Sequence, residues 1–263
     1  MFKENNTNGV TFMTAPNITT THAFTTRFGG VSNGIYESLN LGQNLGDTRE
    51  DVKENYRRLC NALGIDLDDI VTSRQVHRAD IRLVMKSDCG HIFASNDSEA
   101  CDGLITREDA AALMIFTADC VPILFHDPVA GVVGAVHAGW RGTAANIAGA
   151  AIRKMEETGC ISKNINAAIG PCISKCCFET DIDVVDGLSE VLSEDIQNCV
   201  EKHKEKYKVD LKEANKLLLL RTGVSNITIS DECTSCHNHK YWSHRRTKGN
   251  RGSQATLIKL PST

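Results

Sequence analysis

Short apolar runs separated by turn residues constrain the fold of this chain more than any other feature. Three of them follow one another in the middle of the sequence and three lie nearer the C-terminus: 112–116, 121–125, 131–136, 167–169, 227–229 and 255–258. Asp127 and Pro128 begin the turn between the second run and the third. Apolar runs of this length, bounded by turn residues, predict buried β-strands.

Helical periodicity marks four other segments. Most of them begin near a capping residue and end at a glycine: Thr48 to Gly64, Thr143 to Gly159, about 181 to 200, and Asp210 to Gly223. In the third segment we expect Ile182 and the apolar residues at helical spacing after it to face inward. Helices and strands mix without strict alternation, which favours an α/β fold with a mixed-sheet core covered by helices over a pure Rossmann or barrel pattern.

Composition excludes several classes of function. The net charge of −4 gives no reason to expect a nucleic acid or an acidic membrane as partner. The longest apolar runs, such as 110–116, are far too short to span a bilayer. Because we find no linker, no internal repeat and no apolar signal segment, we expect residues 1–263 to form one cytoplasmic domain, either a monomer or a homodimer.

Eleven cysteines are many for a chain without a signal segment. Free thiols and metal ligands explain them better than a disulfide framework does. Cys176 and Cys177 are adjacent, and we interpret this pair as incidental. Near the C-terminus four good ligands stand close together: Cys233, Cys236, His237 and His239. A second zinc site there and an ordinary polar loop both remain open.

Three hydrophobic segments each end in a good metal ligand, namely His77, Cys120 and His137. Two neutral imidazoles and one thiolate suit zinc and leave a fourth position open, which indicates catalysis. Cys120 lies between two predicted strands, and His137 ends a strand that leads into a helix, where functional residues gather. Cys120 could instead be a nucleophile with His137 as its base. His77 favours the metal, since a nucleophilic pair requires no second histidine.

Three basic residues are candidates for binding an anion. Arg27 precedes two glycines, whose backbone amides can approach a ligand. Arg141 lies just before a predicted helix N-terminus, which favours negative charge. His244 belongs to a basic cluster beside Trp242 that could meet a phosphate or a purine face. Each of them is also compatible with an ordinary solvated loop.

Several motifs occur in a specific order along the chain. They are TRFGGVS at 26–32, LNLG at 39–42, QVH at 75–77, DGLIT at 102–106, TADCVP at 117–122, HAGWRGT at 137–143, IGPC at 169–172 and SHRR at 243–246. The combination resembles the bacterial purine nucleoside phosphorylase family, also called polyphenol oxidase or laccase-domain proteins and peptidoglycan editing factor. The resemblance covers nearly the whole chain. After SHRR the chain departs from the family, because an extra residue stands between Arg251 and Gln254.

The resemblance implies a domain of layered mixed sheets between helices (α/β/β/α), related in its core to cytotoxic-necrotizing-factor-like cysteine hydrolases. It implies a zinc site formed by His77, Cys120 and His137. It also implies phosphorolysis of adenosine, inosine and methylthioadenosine, with deamination of adenosine as a further activity. For such chemistry we expect Asp119, the carboxylate closest in sequence, to move protons beside Cys120 and His137, and we expect Arg27, Arg141 and His244 to bind phosphate or nucleoside.

Two other functions remain open for the same residues. The first is a copper-dependent polyphenol oxidase, although nine histidines with a single His-x-His pair offer few ligands for a multicopper site. The second is a hydrolase or editing factor that acts on peptidoglycan precursors through Cys120 and His137 and needs no metal.

Overall fold

A computed structural model of the chain describes residues 1–93 and 99–261. Its strands in chain order are β1 (Lys3–Thr7), β2 (Val10–Thr14), β3 (Thr21–Thr25), β4 (Ile70–Val71), β5 (Ile81–Val84), β6 (Gly103–Thr106), β7 (Ala112–Thr117), β8 (Val121–Asp127), β9 (Val132–Ala138), β10 (Asn166–Ile169), β11 (Glu179–Thr180), β12 (Val200–His203), β13 (Lys206–Val209), β14 (Asn226–Ile229) and β15 (Gln254–Lys259). Its α-helices are α1 (Arg49–Leu63), α2 (Trp140–Ala144), α3 (Ile147–Glu157), α4 (Ile182–Leu192), α5 (Ile196–Cys199), α6 (Leu211–Arg221) and α7 (His244–Thr247).

The strands form two large mixed sheets and one small sheet. The first large sheet has the order β1-β2-β3-β15-β7-β4, and the second has the order β14-β10-β8-β9-β6-β5. Most neighbours are antiparallel, while β4–β7, β5–β6 and β10–β14 are parallel. The small antiparallel sheet has the order β11-β13-β12. All six apolar runs read from the sequence are strands, as predicted.

The two large sheets pack face to face, and helices cover their outer faces. Alternate residues of β7 show the layering, since Leu113 and Ile115 point between the sheets while Ala112 and Met114 point toward α1. On the far side, α3 and α6 cover the second sheet. Both faces of the central strands are therefore buried, which explains why they read as continuous apolar runs. The predicted α/β fold with an α/β/β/α arrangement is confirmed.

Capping residues read from the sequence predict the ends of a helix correctly where no tertiary contact changes the local structure. Thr48 caps α1 by accepting a hydrogen bond from the backbone N–H of Asp51, and Gly64 ends that helix in the left-handed conformation. The expected cap at Thr143 is wrong, because this residue lies inside the short helix α2 and its hydroxyl accepts a hydrogen bond from Asn215. Asn146, at φ 56°, caps α3 instead.

The third predicted helix is correct in position and partly correct in its buried face. It breaks into α4 and α5 around 193–195. Ile182 is 50% exposed, and the buried residues of α4 are Val184, Leu188 and Leu192. Leu188 and Leu192 are therefore buried as predicted, whereas Ile182 is exposed and Val184 is buried in place of Val185. Among the described residues, no helix has the length and apolar character needed to cross a bilayer.

Candidate metal centre

The three ligands predicted from the sequence lie together at one edge of the sheets. His77 belongs to the loop between β4 and β5, Cys120 to the turn between β7 and β8, and His137 to the end of β9. One nitrogen or sulfur atom of each lies within 4.8 Å of the others. The imidazole rings of His77 and His137 are 4.8 Å apart at their centroids and nearly perpendicular, at 73°.

Asp102, just before β6, organises this group. Its Oδ2 accepts hydrogen bonds from the backbone N–H groups of Val76 (3.0 Å) and Arg78 (2.8 Å). Its Oδ1 accepts the N–H of His77 (3.0 Å) and faces Nδ1 of His137 (2.8 Å). Asp102 is fully buried, yet these bonds and the charge of His137 outweigh burial and lower the pKa of its carboxyl group. The carboxylate stabilises the loop that carries His77, where the backbone adopts a left-handed φ of 59°.

The same carboxylate sets the tautomer of His137. An ionised Asp102 can only accept, so Nδ1 of His137 carries the hydrogen and Nε2 is left for a ligand. Carboxylates that hold a metal-binding histidine in this way are a general feature of such sites. Sequence reasoning missed Asp102 as a functional residue. The pairing of Gly103 with Val136 in the β6–β9 ladder brings Asp102 beside His137, and a sequence does not reveal that register.

Cys120 and His137 perturb each other. Burial raises the pKa of the Cys120 thiol, but the charge of His137 and hydrogen bonds from His137 and His77 outweigh burial and lower it to about 6. Burial lowers the pKa of His137, but the attraction of Cys120 and the bond to Asp102 raise it to about 9. The centre therefore favours a thiolate, which is the form of cysteine that binds metals and acts as a nucleophile.

Gly139 leaves room beside the ligands. A Cβ atom at this position would lie 2.7 Å from Nδ1 of His77 and 3.3 Å from Sγ of Cys120. The first distance is too short for any side chain. The absence of a side chain thus keeps a space open next to two of the three ligands. This space and the donor set of two imidazoles and one thiolate fit zinc with an open fourth position.

A cleft of about 980 Å³ adjoins the three ligands. This volume is at the upper end of the roughly 300–1,000 Å³ of small-molecule sites. Apolar side chains such as Ile92 and Phe116 line it together with polar groups such as Ser73, Gln75 and Arg251. Gln75 is fixed in place because its amide oxygen accepts the N–H of Phe116 (2.7 Å) and its amide nitrogen donates to the carbonyl of the same residue (2.8 Å).

Comparison with known proteins identifies the family of the chain. A family model described as "Multi-copper polyphenol oxidoreductase laccase" matches residues 21–261. The chain belongs to this family. The resemblance noted in the sequence is thereby confirmed.

Two curated relatives and one solved structure show the extent of the similarity. The chain is 44% identical over 241 residues to purine nucleoside phosphorylase YlmD of Geobacillus stearothermophilus, covering 89% of this chain and 88% of that protein. It is 34% identical over 243 residues to adenosine deaminase RL5 of an unknown prokaryotic organism, covering 90% and 92%. The crystal structure of YlmD from G. stearothermophilus matches 99% of both chains, with a TM-score of 0.93 and 40% identity.

The three predicted anion-binding residues are not among those that line the cleft. Arg27 stacks on Trp242 at 3.9 Å and donates from Nε to the carbonyl of Glu37 (2.8 Å) and from Nη1 to that of Asn238 (3.1 Å). Arg141 is exposed and stacks on Trp140 at 4.3 Å. It lies in the five-residue helix α2, not just before the longer α3. His244 is exposed at the start of α7. Their roles in binding remain predictions.

Arg251, from the loop between α7 and β15, does line the cleft. Its Nη1 donates to the carbonyl of Gly252 (2.9 Å) and to Oγ of Ser253 (2.8 Å). Its buried Nε has no hydrogen-bond partner within the described ranges. Burial lowers the pKa of Arg251, and the negative charges of Asp119 and Cys120 oppose that change. A half-buried guanidinium that lines the cleft is a better candidate for an anion than an exposed one outside it.

Asp119 is buried, and both of its carboxylate oxygens accept hydrogen bonds from neighbouring loops. Its Oδ1 accepts a hydrogen bond from the hydroxyl of Thr234 (2.6 Å). Its Oδ2 accepts from the hydroxyl of Ser243 (3.0 Å) and the N–H of Arg245 (2.7 Å). With φ 93°, Asp119 forms the sharp turn that presents Cys120. These contacts suit a residue that positions Cys120, while a part in proton transfer remains a prediction.

Proposed function

We propose that this chain is a zinc-dependent purine nucleoside enzyme. It splits adenosine, inosine and methylthioadenosine with phosphate to release the base and a ribose 1-phosphate, and it deaminates adenosine. The observation that supports the proposal is the three-ligand centre of His77, Cys120 and His137, which opens into a cleft of nucleoside size. The names of the curated relatives, purine nucleoside phosphorylase and adenosine deaminase, agree with this chemistry.

Phosphorolysis depends mainly on holding phosphate against the anomeric carbon of the nucleoside. We assign the phosphate to Arg251, because this half-buried cation lines the cleft beside Cys120. Phe116 and Ile92 offer apolar surface for the purine ring in the same cleft. A cationic side chain and apolar surface around one space support a reaction between phosphate and a nucleoside.

Deamination uses the same centre in a different way. When bound, zinc supplies Lewis acidity at its open position. Asp102 holds the hydrogen of His137 on Nδ1 and keeps Nε2 toward the ion. Asp119 and Arg251 supply opposite charges near Cys120, so they set the electrostatic field around the reacting atoms.

The test is phosphate-dependent release of hypoxanthine from inosine by the purified protein. His77→Ala should lose the activity together with the zinc ion of this centre. His91→Ala is the matched control, because His91 lines the same cleft but is not one of the three clustered ligands, and its activity should stay near that of the wild type. Activity that is unchanged in His77→Ala would refute the metal centre.

A cysteine hydrolase is a second candidate, because the structure contains a Cys120–His137–Asp102 arrangement in which the thiol favours its charged form. This enzyme would act on a different substrate, such as a peptidoglycan precursor, without metal. Chelation separates the two candidates. Full activity after removal of all metal, abolished by alkylation of Cys120, would support the hydrolase.

Copper is the remaining alternative, since the matching family is described as a multi-copper oxidoreductase family. Metal analysis of protein purified without added metal, combined with a phenol oxidation assay, decides between the ions. Stoichiometric copper with oxidase activity would overturn the assignment of zinc.

A further inference from the structure

We propose that Cys176, Cys177, Cys233 and Cys236 bind a second zinc ion in a closed site of four thiolates. This cysteine cluster is separate from the candidate metal centre. The inference does not depend on the proposed function, because a structural ion can be present whatever reaction the centre performs.

The positions of the sulfur atoms carry the proposal. All four Sγ atoms lie within 4.8 Å of one another. Cys176 lies 3.7 Å from Cys177 and 3.6 Å from Cys236, and Cys177 lies 3.4 Å from Cys236. A zinc–sulfur bond of about 2.3 Å in tetrahedral geometry places neighbouring sulfurs roughly 3.8 Å apart. The cluster is therefore close to the size that a zinc ion requires.

The backbone around Cys233 also fits a bound thiolate. Sγ of Cys233 accepts a hydrogen bond from the N–H of Ser174 at 3.3 Å. The N–H groups of Ser235 and Cys236 point to the same sulfur. Backbone donors of this kind stabilise and orient ligating sulfur atoms around a metal.

The two pairs of ligands come from distant parts of the chain. Cys176 and Cys177 follow β10, and Cys233 and Cys236 follow β14, which is the parallel neighbour of β10. The backbone of Cys172 pairs with that of Cys233 in an isolated parallel β-bridge, which continues that strand pairing. The N–H of Thr234 donates to the carbonyl of Cys172 at 3.0 Å. Because the parallel strands end at the same edge of the sheet, their loops meet there.

The interpretation of Cys176 and Cys177 as an incidental pair therefore changes. The alternative second site with His237 and His239 does not form as expected. Nδ1 of His237 faces the carbonyl of Cys233 at 3.1 Å, and the rings of His237 and His239 pack on each other at 6.0 Å. Neither histidine belongs to the cysteine cluster. The two thiols after β10 take the places that the histidines were expected to fill.

Hydrogen bonds connect the loops of the cysteine cluster to the turn that carries Cys120 in the candidate metal centre. Thr234 stands between two of its ligands, and its hydroxyl donates to Asp119. The N–H of Ile173 donates to the carbonyl of Asp119 at 2.9 Å. Because Asp119 directly precedes Cys120, an ion that ties the two loops together also fixes the turn that presents Cys120. Loss of the second ion should therefore lower the melting temperature and loosen the first site.

Zinc content is the first measurement. Wild-type protein, dialysed against metal-free buffer, should retain two zinc ions per chain. The double variant Cys176→Ser with Cys236→Ser should retain one, and so should the double variant His77→Ala with His137→Ala. Cys89→Ser is the matched control, because this half-buried cysteine lies outside both clusters, and it should retain two. An equal zinc content in the wild type and in the Cys176 and Cys236 double variant would overturn the proposal, whereas loss of zinc only in the His77 and His137 double variant tests the first site.

Cobalt substitution of the wild-type protein keeps the proposal falsifiable if the double variant does not fold. A four-thiolate site gives intense sulfur-to-cobalt charge transfer that a site with one thiolate does not. Two successive cobalt ions with distinct spectra, one of them of four-thiolate type, are expected. A single spectrum of one-thiolate type would refute the site. A disulfide between Cys236 and either Cys176 or Cys177 in freshly purified protein, found by mass spectrometry, would refute it as well.

Discussion

Replacing Asp102 by asparagine should weaken metal binding at the candidate metal centre much more than it weakens the fold. The carboxylate accepts four hydrogen bonds, three from backbone N–H groups and one from Nδ1 of His137. The asparagine amide keeps one oxygen and presents NH₂ on its other side. Two of the four donors then face another donor in a fully buried position.

Both orientations of the new amide damage the site. If NH₂ faces Val76 and Arg78, the loop that carries His77 loses two hydrogen bonds to a charged group, each contributing about 1.5–3 kcal/mol. If NH₂ faces His137, the imidazole must accept on Nδ1 and carry its hydrogen on Nε2, where the ion should bind. We therefore expect zinc affinity to fall roughly 10- to 100-fold, or about 1.4–2.8 kcal/mol.

The assay is competition for zinc against a chelator of known affinity, at protein concentrations where the variant is folded. Asp127→Asn is the matched control. Asp127 is also fully buried and accepts backbone N–H groups through Oδ1, but its Oδ2 has no hydrogen-bond partner in the described part of the chain. It is the last residue of β8 and is not one of the clustered ligands. It should keep wild-type zinc affinity. Asp102→Asn that binds zinc as tightly as the wild type would refute the role given to this carboxylate.

Three further predictions concern the same site. Gly139→Ala should lower zinc affinity at least about 10-fold, since its Cβ would lie 2.7 Å from Nδ1 of His77. Gly187→Ala is the control, because no atom lies nearer than 3.5 Å to the Cβ it would add, and zinc affinity should not change in the same chelator competition. Arg251→Met should raise the KM for phosphate roughly 10-fold or more at unchanged zinc content, whereas Arg27→Met should mainly lower the melting temperature; the opposite pattern would return phosphate binding to Arg27. In metal-free protein the Cys120 pKa of about 6 means that the thiolate dominates above that pH, so its alkylation rate should rise through pH 6 and level off by about pH 8. A rate that still climbs through pH 9, measured by peptide mapping, would contradict the thiolate–imidazolium pair.

Particular elements show where sequence reasoning succeeds and where it stops. The apolar runs that became β7, β8 and β9 were recognisable because strands buried on both faces must be apolar throughout. The ends of α1 were recognisable because Thr48 and Gly64 act on their own backbone neighbours. The cap of α3 was not recognisable, because Asn146 follows a short extra helix, α2, that packs against α4 and α6. The buried face of α4 likewise depends on what packs against it.

The sequence by itself determined the layered α/β class, the family and the three candidate ligands His77, Cys120 and His137, because each of these depends on local pattern or on motif order. Only the tertiary structure decided which groups surround those ligands. Asp102 reaches His137 through the register of β6 on β9, and Arg251 enters the cleft from a loop before β15. Cys176 and Cys177 meet Cys233 and Cys236 because β10 and β14 are parallel neighbours. Such contacts join residues far apart in the chain, and strand pairing, which no local pattern encodes, brings them together.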